Sequence, residues 1–236
     1  GGDEFAILLS AQNARQLAMD VSDRLVASLR APLTVNGSEL SVSVSIGVAV
    51  YPDHASTAAC LLQKSDMAMY ARKRGGKNGV QLFDNNMVDI ARKRLEIEQF
   101  IDQGLRDDWF EPYLQPIVSL SDGRVAGFEA LMRLHHPERG ILPPAEIIGI
   151  AEENGTIARI GDCILSKSIA NLAVISKLDG LADTYLAVNF SPSQFEPALP
   201  ARLAALLLES GVTPSRIVVE ITEAVLMLDN PVVREV

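Results

Sequence analysis

Beyond Trp109 the chain alternates short apolar runs with helical stripes, and this rhythm restricts the fold more than any other feature. Tyr113–Leu120 and Arg124–Leu134 have strand character and are joined by Asp122-Gly123, a turn that makes them antiparallel. After Pro143-Pro144 a helix begins, which Asn154-Gly155 ends, and Ile157, Ile160, Ile164, Leu172 and Ile175 stripe a longer one. Asp179-Gly180 precedes a strand at Thr184–Phe190. A helix from about Pro197 to Ser210 stops at Gly211, and Arg216–Thr222 is the next strand. Strands alternating with helices predict parallel pairing with right-handed crossovers after the opening hairpin. The amount present suits half of a (β/α)8 barrel with an antiparallel first strand, since a complete barrel takes roughly 250 residues.

Several of these strands carry a residue that an apolar strand should not. Gly127–Arg133 holds Glu129 and Arg133 on one face, because their offset is even; Leu186–Phe190 holds Asn189, and Ile217–Ile221 holds Glu220. Burying such groups is costly unless they are paired, hydrogen-bonded or bound to a cation. Three oxygen-bearing side chains on successive strands suggest a hard metal ion, Mg2+ or Mn2+ rather than zinc. The competing structural account pairs Glu129 with Arg133 and Glu220 with another buried cation. It would prevail for one such residue, but three favour the metal. His135 and His136 are expected in a proline-bounded loop, as is His54 after Tyr51-Pro52.

The opening segment predicts an α+β layer. Gly1-Gly2-Asp3-Glu4 forms a tight turn into a buried strand at Phe5–Leu9, and Ala14, Leu17, Val21, Leu25 and Ser28 share a helical face. Asn36-Gly37 is a strong hairpin turn, leading to a period-two strand through Val42, Val44, Ile46, Val48 and Val50. A helix from about Thr57 to Arg74, closed by Gly75-Gly76, precedes a short strand at Val80–Phe83. Antiparallel strands with helices on one side are expected here. The two opening glycines and Asp3 could approach a phosphate and a metal, and the cations Arg72, Lys73, Arg74 and Lys77 could hold phosphate. On spacing alone the plain accounts are stronger: an ordinary hairpin turn, and cations favoured by a helix C-terminus.

From about residue 85 to 108 a helical connector is expected, a spacer with Met87, Ile90, Ala91, Ile97, Ile101 and Leu105 on one side and an Arg94–Glu98 i,i+4 pair. The chain thus divides into 1–84, 85–108 and 109–236. Its 236 residues, 48% of them apolar, can supply more than one core, and a net charge of −9 argues against a nucleic-acid polymer as partner. Two cysteines, Cys60 and Cys163, with neither disulfide density nor metal spacing point to a reducing, cytoplasmic setting. No apolar run approaches the ~18–20 residues that cross a bilayer. The chain lacks an initiator Met and stops just after Asn230-Pro231, as if entering a new helix. It is therefore expected to be a piece of a longer parent, whose membrane attachment would lie elsewhere.

Gly1–Phe5 carries the signature of the GGDEF family of diguanylate cyclases, and Val44–Ala49, Ser65–Tyr70, Lys73 and Gly76-Lys77-Asn78 resemble that family's central strand and penultimate helix. The resemblance implies that Gly1 and Gly2 lie against GTP, that Asp3 ligates a metal, and that Lys73 and Lys77 reach phosphate. Lys77 stands where the family usually has Arg, which loses the bidentate fork. The family joins two GTP molecules into cyclic di-GMP across a homodimer, but its upstream half is not in this sequence. Gln115-Pro116-Ile117, Glu129–Arg133, His136-Pro137, Val188–Ser191, Gln194-Phe195 and Glu220–Glu223 resemble, in order, the EAL family of cyclic di-GMP phosphodiesterases. That family is a modified (β/α)8 barrel. The resemblance implies that Glu129, Asn189 and Glu220 hold two divalent metals, that Arg133 and Gln115 contact substrate, and that Glu223 anchors a loop coupling metal binding to dimerisation. Leu134 departs from the family's usual Trp, and Ile147 and Gly149 from its Phe and Pro. The family's paired aspartates, lysine and late glutamates would lie beyond Val236, so residues 1–236 alone are expected to turn over neither nucleotide. The rival expectation is a non-catalytic receptor for cyclic di-GMP or GTP.

Overall fold

The computed structural model describes residues 2–76 and 78–221. Gly1, Lys77, Glu223 and the helix expected after Asn230-Pro231 lie outside them. The chain forms two compact units, 1–93 and 94–236.

In the first unit, α1 (Ala14–Ser28) is followed by β1 (Leu33–Val35) and β2 (Ser38–Leu40). These pair antiparallel with Val35 opposite Ser38, so that Asn36 and Gly37 form the two-residue turn with φ of 51° and 82°. Both central residues at positive φ define the turn type whose twist matches a hairpin, as Asn-Gly predicts. β3 (Ser45–Val48) is shorter than the expected strand and pairs with β4 (Gly79–Leu82) in parallel, through α2 (Ala58–Arg74). The unit therefore holds two separate two-stranded sheets among the described residues, not one antiparallel layer. Thr57 caps α2, its hydroxyl accepting the Cys60 N–H at 3.2 Å. Phe5–Leu9 is no strand: Phe5 is 89% exposed and Leu8 87%. An apolar run becomes a strand only beside another strand, and no described strand pairs with this one. α1 is rotated from the expected stripe, burying Ser22 and Val26 while Leu25 is exposed.

α3 (Asn86–Arg106) spans the division between the units and leads into β5 (Phe110–Val118) and β6 (Val125–His136) of the second, antiparallel as expected. β7 (Gly140–Leu142) folds back on the end of β6. α4 (Pro144–Asn154), α5 (Ile157–Ile175), β8 (Tyr185–Phe190), α6 (Leu199–Ser210) and β9 (Ile217–Ile221) complete it. β6, β8 and β9 run parallel, in the sheet order β5-β6-β8-β9. Gly155 and Gly211 end α4 and α6 at φ of 79° and 70°, the left-handed caps expected of Asn-Gly and Ser-Gly. The described sheet is open and closes into no barrel.

Two apolar clusters hold this unit. Ala130, Leu186, Val188 and Phe190 pack with Leu165, Ile169 and Leu172 of α5 and Leu199 and Leu207 of α6. Ile97 and Ile101 of α3 pack with Phe110, Leu134, Ile147 and Ile160. The second half of α3 is thus core rather than spacer, because its stripe continues into a face that the hairpin covers. The expected Arg94–Glu98 pair forms at 2.8 Å, and Arg94 also reaches Glu153 at 2.6 Å. His135 and His136 are not in a loop: they sit opposite Ile141 and Gly140 at the end of β6. Trp109 and Phe100 clasp the His136 ring, an aromatic seat that local sequence does not reveal. No described helix is long and apolar enough to cross a membrane.

Candidate metal and nucleotide site

Strand register assembles the site. Gln115 of β5 lies opposite Glu129 of β6, which lies opposite Ala187 of β8. Asn189 is two residues beyond Ala187, hence on the same face, and lies opposite Glu220 of β9. Four consecutive strands therefore direct Gln115, Glu129, Asn189 and Glu220 to one face. The other face carries Ala130, Leu186 and Val188 into the core beneath α5 and α6.

Glu129 and Asn189 touch: the Asn189 Nδ2 amide donates to Glu129 Oε1 at 2.8 Å. That contact replaces the Glu129–Arg133 pairing considered from sequence. At roughly 3.3 Å per residue, Arg133 lies roughly 13 Å farther along the same strand, too far for an ion pair. Arg133 instead donates to the Met132 carbonyl at 2.8 Å and stands 5.5 Å from the Tyr113 ring centroid. The half-exposed Tyr113 steadies the guanidinium from one side and leaves its other donors to a ligand. Glu111, opposite Arg133, is engaged by Lys167 of α5, which also binds Asp108 and the Phe110 carbonyl at 2.7–2.8 Å. Burial works to lower the Lys167 pKa, but hydrogen bonds to Asp108 and Glu111 outweigh it and raise the pKa above its ordinary value.

The donors fit a hard divalent cation by chemistry. With Nδ2 committed to Glu129, Asn189 keeps Oδ1 as an acceptor, and the set Glu129, Asn189 and Glu220 is all oxygen. Among the described residues no three His, Cys, Asp or Glu side chains cluster as metal ligands.

The first unit assembles less. Gly2, at φ 77°, and Asp3 lie in an exposed turn, and Lys73 lies in the last turn of α2 between Arg72 and Arg74. Arg72 donates to the Asn78 carbonyl at 3.1 Å and lies across Gly79, closing the turn after α2. Tyr113, Lys167 and the buried Gln194 were not singled out as site residues from sequence. Tyr113 could have been, since it shares the parity of Gln115 on a strand leading to the site. The turn bond of Gln194 to Ser191 is local and readable, but its seat over Gly161 is not, and the partners of Lys167 are distant in sequence.

The EAL domain model matches residues 98–236, and the model of the diguanylate cyclase GGDEF domain matches residues 1–79. A signalling protein of Caulobacter vibrioides is 38% identical over 97% of this chain and 28% of its own length. The bifunctional diguanylate cyclase/cyclic di-GMP phosphodiesterase MucR of Pseudomonas aeruginosa is 33% identical over 97% of this chain and 33% of its own. The solved MucR phosphodiesterase in complex with c-di-GMP superposes with a TM-score of 0.53 at 30% identity, over 57% of this chain and 54% of that one. The chain thus spans a third or less of the length of these two relatives. The chain belongs to the EAL domain family, with a segment of the GGDEF domain family ahead of it.

Proposed function

We propose that this chain is the GGDEF–EAL part of a protein that turns over cyclic di-GMP, and that its EAL half hydrolyses the cyclic dinucleotide to linear pGpG. The observation that carries the reading is the Asn189–Glu129 contact, on the face that also bears Gln115 and Glu220. In this reading 1–84 is the GGDEF part, 85–108 a connector whose second half packs into the core of the EAL part, and 109–236 the rest of the EAL part. Glu129, Asn189 and Glu220 would hold the divalent metals, which when bound polarise the phosphodiester and lower the pKa of water.

Other residues of this chain would bind and orient the substrate. Arg133, braced by Tyr113, offers its remaining N–H groups to a phosphate oxygen. Gln115, beside Glu129, offers an amide able both to donate and to accept, as a guanine edge requires. Glu223, outside the described residues, would by the family resemblance anchor a loop that couples metal binding to dimerisation. In the first unit Gly1 and Gly2 would lie against GTP, Asp3 would ligate its metal, and Lys73 and Lys77 would take its phosphates, so that a homodimer of the parent could make cyclic di-GMP.

The test incubates the full-length protein with cyclic di-GMP and Mg2+ or Mn2+ and follows pGpG. We expect turnover that Glu129→Gln lowers about 100-fold or more, since even residues that merely orient metal ligands contribute 10–100-fold. Tight binding of cyclic di-GMP without pGpG would instead establish a receptor. Residues 1–236 alone, with three oxygen donors at this site, are expected to release no pGpG.

A further inference from the structure

The chain leaves β8 abruptly after Asn189. Ser191 leads into a short 3-10 turn at Pro192–Gln194: the Gln194 N–H donates to the Ser191 carbonyl at 3.1 Å, while Gln194 Oε1 accepts the Ser191 N–H at 2.9 Å. Gln194 is only 3% exposed. Its amide fills the space over Gly161 of α5, where an added Cβ would lie 2.0 Å from Nε2 and 2.6 Å from Cδ. Burial of an amide in a surface turn is unfavourable unless a hydrogen bond compensates, and here the bond goes to the backbone two residues past Asn189.

The next residues extend the fastening. Phe195 packs on Phe190, with ring centroids 6.0 Å apart, and on the core cluster below. Glu196 pairs with Arg202 of α6 at 2.6 Å, and Arg202 pairs with Asp162, the neighbour of Gly161, at 3.0 Å. Three successive residues thus tie the exit of β8 to α5, the core and α6. Asn189 is itself an exposed side chain whose one partner among the described residues is Glu129. Its direction depends on the strand end that carries it.

We propose that Gln194, seated on Gly161, is a positioning residue that holds the exit of β8, so that Asn189 stays against Glu129 with its carbonyl oxygen kept for the cation. This rests on the metal reading above. Gly161 is then required to be small, because any side chain there occupies the seat of the Gln194 amide.

Two variants of the full-length protein test this. Gln194→Met keeps the bulk and removes the acceptor. Gly161→Ala leaves Gln194 chemically intact, blocks its seat and favours the helix that bears it. Mn2+ affinity by electron paramagnetic resonance, amide exchange at Ser191 and thermal unfolding without metal are compared with the wild type. We expect both variants to bind Mn2+ about tenfold more weakly and to exchange the Ser191 amide faster, with Gly161→Ala unfolding at a near-native temperature. A folded Gly161→Ala protein with wild-type Mn2+ affinity would overturn the positioning role, even if Gln194→Met does not fold. Absence of Mn2+ binding by the wild type would overturn the metal reading, and this proposal with it.

Discussion

Glu129 shows how much a single position can disclose. A carboxylate within an apolar strand announces a partner, and strand parity states which face it occupies. The identity of the partner is another matter: Asn189 is 60 residues away and arrives through the parallel register of β6 and β8. His54 is the opposite case, an ordinary turn residue in sequence whose environment sets its charge. Burial lowers its pKa below the ordinary 6.5, and the neighbouring Arg15 adds to this. Its Nδ1 accepts the Val50 N–H at 3.0 Å, a bond that needs the unprotonated nitrogen. With a depressed folded-state pKa, the stabilisation from His54 is present above about pH 6.5 and is lost as pH falls through the folded value, because the unfolded chain takes up the proton first. Thermal unfolding followed from about pH 7.5 to 5 is expected to show a falling midpoint for the first unit, with a flatter profile for His54→Gln.

Elements form where local signals are complete and lapse where they depend on neighbours. Asn36-Gly37 builds its hairpin from two residues, Thr57 begins α2, and Gly155 and Gly211 end α4 and α6 at the expected places. Phe5–Leu9 and most of Val42–Val50 have strand composition, yet only Ser45–Val48 gains a partner and becomes a strand. Gly47 explains why that partner is close to a helix as well. A Cβ at Gly47 would lie 1.9 Å from the Ser65 carbonyl and 2.2 Å from the Met69 nitrogen of α2, both backbone atoms that cannot swing aside. Gly47→Ala should therefore force β3 from α2 and cost about 3 kcal/mol or more, at the upper end for overpacking. Urea unfolding of the first unit measures this, and a cost under about 1 kcal/mol would contradict the packing described.

The chain divides into two compact units, and the division falls inside α3, between Lys93 and Arg94. Ile101, fully buried against the cluster of Phe110 and Leu134, belongs to the second. Ile101→Ala is expected to cost that unit about 2–5 kcal/mol through lost burial and a residual cavity. Followed by probes in each unit, unfolding should shift for the second and stay unchanged for the first. A helical spacer with no core role would show neither effect, since exposed substitutions of this kind rarely exceed about 0.5 kcal/mol.

Much of the second unit was legible residue by residue. The order of strands and helices, the antiparallel opening pair, the helix ends and the shared parity of the site residues all follow from periods of two and 3.6 and from turn chemistry, which operate within a few residues. Tertiary structure alone decided that Asn189 meets Glu129 instead of Arg133 doing so, that α3 enters the core, that His136 rests among aromatic rings, and that Gln194 needs a bare Gly161. Each of these depends on which strand lies beside which and in what register, and that is settled by packing among residues far apart in the chain.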